Sequence, residues 1–201
     1  MSTYNLKFVN SSNDWWHFGV YQTFPDAPGL ESIVWRENGL PTGSQAEIHW
    51  NMDYGVSITN FDGANVSAVQ TISAQLGETY QVVIKDGITG IDSTPIAAGG
   101  PPDIVSLKNN TTPAKAIDMG FALNGSIIAA QKAVGGQQSS NYQVHPKYYV
   151  ALFRNVQVGD LVTSDVTVAP IMVEYTQGNT HATVTAYIDA GNTKTKVEYA
   201  P

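Results

Sequence analysis

The residues best equipped for recognition chemistry in this chain are its four tryptophans, all within the first 50 positions. They occur in Asp14-Trp15-Trp16-His17-Phe18, in Ile33-Val34-Trp35 and in Glu47-Ile48-His49-Trp50-Asn51. An indole carries a broad apolar face and one N–H donor; exposed, it stacks on C–H groups of a ligand, and buried, it fills a core. Trp15 and Trp16 are adjacent, so in an extended chain they point to opposite sides. One is expected in the core and the other at solvent. Trp15, Trp16 and His17 therefore form the candidate ligand-binding set. Trp35 shares a face with Ile33, and Trp50 with Ile48, which places both in the core.

Other chemistries find less support. His17, His49, His145 and His181 lie far apart, and none has the local partner that zinc or copper sites on β-frames often use. The aspartates mostly fall in turns, where they cap their own backbone. Asn60-Phe61-Asp62-Gly63-Ala64-Asn65 gathers oxygens as a calcium loop might, without EF-hand spacing. No Gly-x-Ser-x-Gly and no phosphate loop occurs. Glu31, Glu37, Glu47, Glu78, Glu174 and Glu198 could supply the carboxylate pair of a glycosidase, but no spacing selects one. We expect no catalytic residues, no cofactor and no metal.

The bulk composition agrees with a binding role. Only 13% of the 201 residues are charged, so the polar surface comes mainly from Ser, Thr, Asn, Gln and backbone. Such a surface suits a carbohydrate or another small neutral ligand. The net charge of -7, with ten scattered Lys and Arg, would repel a phosphate backbone and excludes nucleic acid as an expected partner. It also argues against a membrane surface. The absence of cysteine removes disulfides, thiolate metal sites and cysteine nucleophiles. Met1 to Lys7 shows no basic head followed by an apolar run, so a cytoplasmic protein, or one exported without a Sec signal, is expected.

The elements that must position these residues read as short strands. Tyr4, Leu6 and Phe8 alternate with Asn5 and Lys7. A second strand is expected over Trp16 to Phe24 and a third over Ser32 to Arg36, with Asn38 to Gly43 as loop. Val66 to Leu76 could form a helical stripe; the Gly77-Glu78-Thr79 turn signal favours a strand over Val69 to Gln75. Asp86-Gly87 and Asn124-Gly125 are hairpin turns of the type whose central residues take positive φ. Pro95 begins a loop. Asp165 to Ala169, Ile171 to Tyr175, Ala182 to Ile188 and Thr193 to Tyr199 complete the series. About 12–15 strands without alternating helices predict an all-β, jelly-roll-like antiparallel sandwich. We expect one domain over residues 1–201, no internal repeat and little helix; the oligomeric state is left open.

Several segments, in order, resemble the RhiA-type proteins of root-associated bacteria. They are Asn10-Ser11-Ser12-Asn13 with Phe18-Gly19-Val20-Tyr21-Gln22-Thr23-Phe24-Pro25-Asp26, then Ser32-Ile33-Val34-Trp35 and Ile48-His49-Trp50-Asn51-Met52-Asp53-Tyr54. Gly120-Phe121-Ala122-Leu123 and His145-Pro146-Lys147-Tyr148-Tyr149-Val150 extend the likeness into the second half. The resemblance implies a β-sandwich-like domain, produced under quorum-sensing control and associated with the rhizosphere, with no catalytic residues to carry over. The expected function is non-enzymatic, in bacterial community or plant-host interaction, by binding a neutral ligand such as a glycan. Two alternatives stand beside it: a lipid-binding or pore-forming-like sandwich, and a hydrolase with an unrecognised carboxylate pair.

Overall fold

The computed structural model describes residues 3–27, 29–162, 166–176 and 178–200. Among them there is no helix, and 17 strands run in chain order. These are β1 (Thr3–Ser11), β2 (Trp16–Tyr21), β3 (Leu30–Ser32), β4 (Arg36–Leu40), β5 (Gln45–Asn51), β6 (Tyr54–Asp62), β7 (Asn65–Ser73), β8 (Thr79–Lys85) and β9 (Ile88–Ala97). They continue as β10 (Ile104–Asn109), β11 (Ile117–Leu123), β12 (Ser126–Val134), β13 (Ser139–Gln143), β14 (Lys147–Phe153), β15 (Val166–Glu174), β16 (His181–Asp189) and β17 (Asn192–Ala200). The chain is all-β, as its alternation predicts.

The strands form two compact units. The first takes the chain up to Thr23, Val34–Met52 and everything from Pro146; the second takes Phe24–Ile33 and Asp53–His145. In the first unit, one sheet has the order β17-β16-β1-β5 and the other β15-β14-β2-β4. Their inner faces meet through rings: Phe8 of β1 lies 5.3 Å from Phe18 of β2, and Trp50 of β5 lies 5.2 Å from Tyr148 of β14. Trp35 and Trp50, at 0% and 1% exposure, pack edge-to-face in this core, where alternation places them. In the second unit the sheets are β13-β10-β8-β9 and β3-β12-β11-β6-β7. Phe121 and Tyr142 stack between them at 5.4 Å.

The two units share one topology. Each has a parallel pair, β1 with β16 or β10 with β8, flanked by antiparallel neighbours. Each has a facing all-antiparallel sheet, β15-β14-β2-β4 or β7-β6-β11-β12, with β3 added on β12 in the second unit only. The expectation of no internal repeat is therefore corrected at the level of topology. Alternating strands of unlike side chains hide the repeat, because any apolar residue satisfies an inward position.

Turn chemistry follows the sequence closely. Asp86 and Gly87 have φ of 52° and 78°, and Asn124 and Gly125 have 49° and 80°, the positive values a two-residue hairpin needs. Of the strand expected over Val69 to Gln75, Val69 to Ser73 lies in β7, which begins earlier, at Asn65. Other boundaries differ. β2 stops at Tyr21, and Ser32 to Arg36 is a crossing: Leu30–Ser32 pairs with β12, whereas Arg36–Leu40 pairs with β2. Asn38 to Leu40, expected as loop, is edge strand. Pro95 lies inside β9, and Pro170 inside a continuous β15. Both strands are sheet edges, where a missing N–H costs no ladder bond.

Candidate functional site

The chain enters β2 through a tight turn organised by Asn10. Its Nδ2 donates to the carbonyls of Asp14 and Leu40, each at 2.8 Å, and its Oδ1 accepts from Ser12 Oγ at 2.7 Å. Ser12 Oγ in turn accepts from Trp16 Nε1 at 3.0 Å. Trp16 is thus tied to the turn and is buried, its ring covered by the Arg154 guanidinium at 3.9 Å. Arg154 also pairs with Asp14 at 3.4 Å. With Trp16 pointing inward, the preceding residue is turned outward: Trp15 is 62% exposed. The opposite facing expected of the pair is what the structure shows.

His17 lies half-buried beneath that exposed indole, ring centroids 5.9 Å apart and planes 12° from parallel. Glu37 of β4 holds it: His17 Nδ1 and Glu37 Oε1 are 2.6 Å apart. A carboxylate oxygen accepts, so Nδ1 donates and the ring orientation is fixed. Gly39, also on β4, makes room. A Cβ there would stand 3.2 Å from Trp15 Nε1 and 3.4 Å from His17 Cε1. The result is an aromatic platform of Trp15 on His17, backed by the Glu37 carboxylate, while the Asp14–Arg154 ion pair covers the buried Trp16.

Sequence reasoning places Trp15, Trp16 and His17 together, and the structure does so, with separate roles: Trp15 and His17 form the surface, Trp16 the support. It names Glu37 only among six possible glycosidase carboxylates, and gives Gly39 and Arg154 no part in the site. Gly39 is expected as loop; as a glycine within β4 it marks a close approach. Glu37 and Arg154 reach the site only through the pairing of β2 with β4 and the loop after β14.

The other candidates take structural contacts. Asn5 is within 3.1 Å of His49 and contacts Glu47, and Thr180 Oγ1 is 3.0 Å from His181 Nδ1. Glu78 bonds the Tyr80 hydroxyl, Glu174 pairs with Lys147, and Glu198 pairs with Lys196. Asp62 pairs in register with Asn65 across the β6–β7 turn. Among the described residues no group of three or more His, Asp or Glu is placed to hold a metal ion.

A concavity of about 370 Å³ in the first unit is lined by Tyr4, Pro146, Tyr175, Thr176 and Gly178 to Thr180. Its rings are tied into the core: Tyr4 stacks on Trp50 at 5.8 Å, and the Tyr175 hydroxyl donates to the Asn5 carbonyl at 2.8 Å. Burial pushes the Tyr175 hydroxyl well above the usual phenol range. These rings are committed to packing, whereas Trp15 offers a free face.

A family model described as RhiA matches residues 1–198, nearly the whole chain, and the chain belongs to the RhiA family. No curated protein and no solved structure matches it.

Proposed function

We propose that this RhiA-family protein is a non-enzymatic binding module that takes a neutral ligand, a glycan by preference, on the Trp15–His17 platform. The observation that carries the reading is an indole left 62% exposed while its support is built with care: stacked on His17, which is fixed by Glu37. Stacking on an aromatic face needs no charge on the ligand, which suits a chain with 13% charged residues. Family membership supports the wider context: production under quorum-sensing control in bacteria living near roots, with a role in community or host interaction. Comparing protein levels in dilute and dense native cultures tests that context; equal levels remove it.

Intrinsic fluorescence titrated with a neutral glycan panel tests the site. A binding glycan shifts the emission of the native protein, Trp15→Ala abolishes the shift, and stability stays within about 0.5 kcal/mol of the parent, as for an exposed residue. Trp16→Phe keeps the shift and lowers stability. Binding that survives in Trp15→Ala sinks the site, and a shift produced by neutral lipid vesicles but by no glycan transfers the platform to a membrane surface.

A further inference from the structure

The repeated topology has an order along the chain that gives it a consequence. Setting β3 aside, the strands fall into four blocks: β1–β5, β6–β9, β10–β13 and β14–β17. The first and third blocks correspond, and so do the second and fourth. The correspondence reaches single atoms. Asn109, at the end of β10, repeats Asn10 bond for bond: Nδ2 donates to the carbonyls of Lys115 at 2.6 Å and Val134 at 2.8 Å, and Oδ1 accepts from Thr111 Oγ1 at 2.9 Å. The backbone N of Asn10 donates to Ser44 O at 2.9 Å, and that of Asn109 to Gln138 O at 2.8 Å. Both side chains are fully buried.

The next strand of each block repeats a second feature. Gly19 and Gly120 sit mid-strand on β2 and β11, and a Cβ on either would meet a side chain at 2.6 Å. Trp16 pairs with Leu40 as Ile117 pairs with Val134. The β16–β17 and β8–β9 hairpins turn alike, at Ala190-Gly191 and Asp86-Gly87, all with positive φ.

We infer that the chain is a tandem duplication of one eight-strand module, residues 3–97 and 104–200, whose two copies have exchanged halves. The first unit combines the opening block of copy one with the closing block of copy two; the second unit combines the remainder. Neither copy holds a complete sandwich. The parallel pair at the centre of each unit joins different copies, β1 to β16 and β8 to β10. The partner that the opening block of each copy fits is therefore the closing block of a second copy, and the covalent link at 98–103 is not what holds the copies together.

The test uses the full chain with a protease site inserted between Ala98 and Gly99, in the exposed loop after β9. After cleavage the two pieces are expected to elute together at the full mass with an unchanged far-UV spectrum, separating only in denaturant. Pieces that part without denaturant overturn the inference. Cysteine pairs then distinguish exchange from two self-closed copies that merely adhere, in a chain that has no native cysteine. Lys7 pairs in register with Thr183, and at the equivalent place Ser106 pairs with Thr79. In the cleaved protein, Lys7→Cys with Thr183→Cys should form a disulfide that joins the pieces on a non-reducing gel. Lys7→Cys with Thr79→Cys should not close. Closure of the second pair, or failure of the first, means that the halves are not exchanged.

Discussion

At the scale of single residues, burial decides what each ring does. Trp35 and Trp50 meet each other at 5.4 Å and an interplanar angle of 83°, inside a cluster with Tyr148. Trp50→Ala or Trp35→Ala should each cost about 3–5 kcal/mol, the range for truncating a buried aromatic. Denaturant unfolding measures it, and a loss under about 1 kcal/mol for both would contradict their place in the core. Tyr21 predicts a pH effect. Burial, with Tyr149 stacked at 5.7 Å as the smaller cause, pushes its hydroxyl up to about 12 from an ordinary 10. A phenol whose pKa is raised by folding binds its proton more tightly in the folded state. Its contribution is complete below pH 10 and is lost as pH rises from 10 through about 12. We expect a decline of about 1–2 kcal/mol across that window, with solvent screening reducing the full linkage value. Tyr21→Phe should make the decline shallower, because phenylalanine has no proton to lose, and leave the part that buried Tyr175 and Tyr80 contribute; an unchanged slope would assign the pH dependence to those other groups.

At the scale of elements, the strands are carried by alternation and the turns by residues that tolerate positive φ. What alternation cannot show is which strand lies beside which. Gly19 illustrates this. Within β2 it reads as a weak point of the strand, yet it accepts Phe153 of β14, whose ring edge would stand 2.6 Å from an added Cβ. Phe153 belongs to an apolar cluster with Tyr21, Val34, Ala151 and Val156 on the outer side of that sheet. Gly19→Ala should therefore destabilise by about 1–3 kcal/mol, the usual cost of overpacking. Gly120→Ala should do the same in the second unit, against the Thr59 methyl and the Ala129 carbonyl at 3.1 Å. Thermal unfolding of the two variants checks both; a neutral result at either would show that the neighbouring strand can yield.

At the scale of the whole molecule, duplication predicts two equivalent places, and the side chains at them differ. By the register that aligns Trp16 with Ile117, Trp15 corresponds to Ala116 and His17 to Asp118. Asp118 accepts from the Ala133 backbone N at 2.7 Å instead of supporting a ring. The second unit thus has no stacking platform at this position. A glycan that binds through Trp15 should bind once per chain. Titration calorimetry reads the stoichiometry, and a value of two would place a second site away from the aromatic platform.

Read alone, the amino-acid sequence established the all-β class, the tight hairpins at Asp86-Gly87 and Asn124-Gly125, the burial of Trp35 and Trp50, and the split of Trp15 from Trp16. It also carried the family likeness across both halves. Each of these is local: a period of two, a positive φ, or the opposite facing of adjacent residues is written within a few positions. The packed sheets alone bring Glu37 and Gly39 to the platform and Arg154 over Trp16, make Asn38 to Leu40 a strand, and repeat one topology over residues 3–97 and 104–200. These depend on pairing between residues far apart in the chain. Apolar alternation makes many pairings possible, and the buried side chains that select among them act only once the sheets are packed.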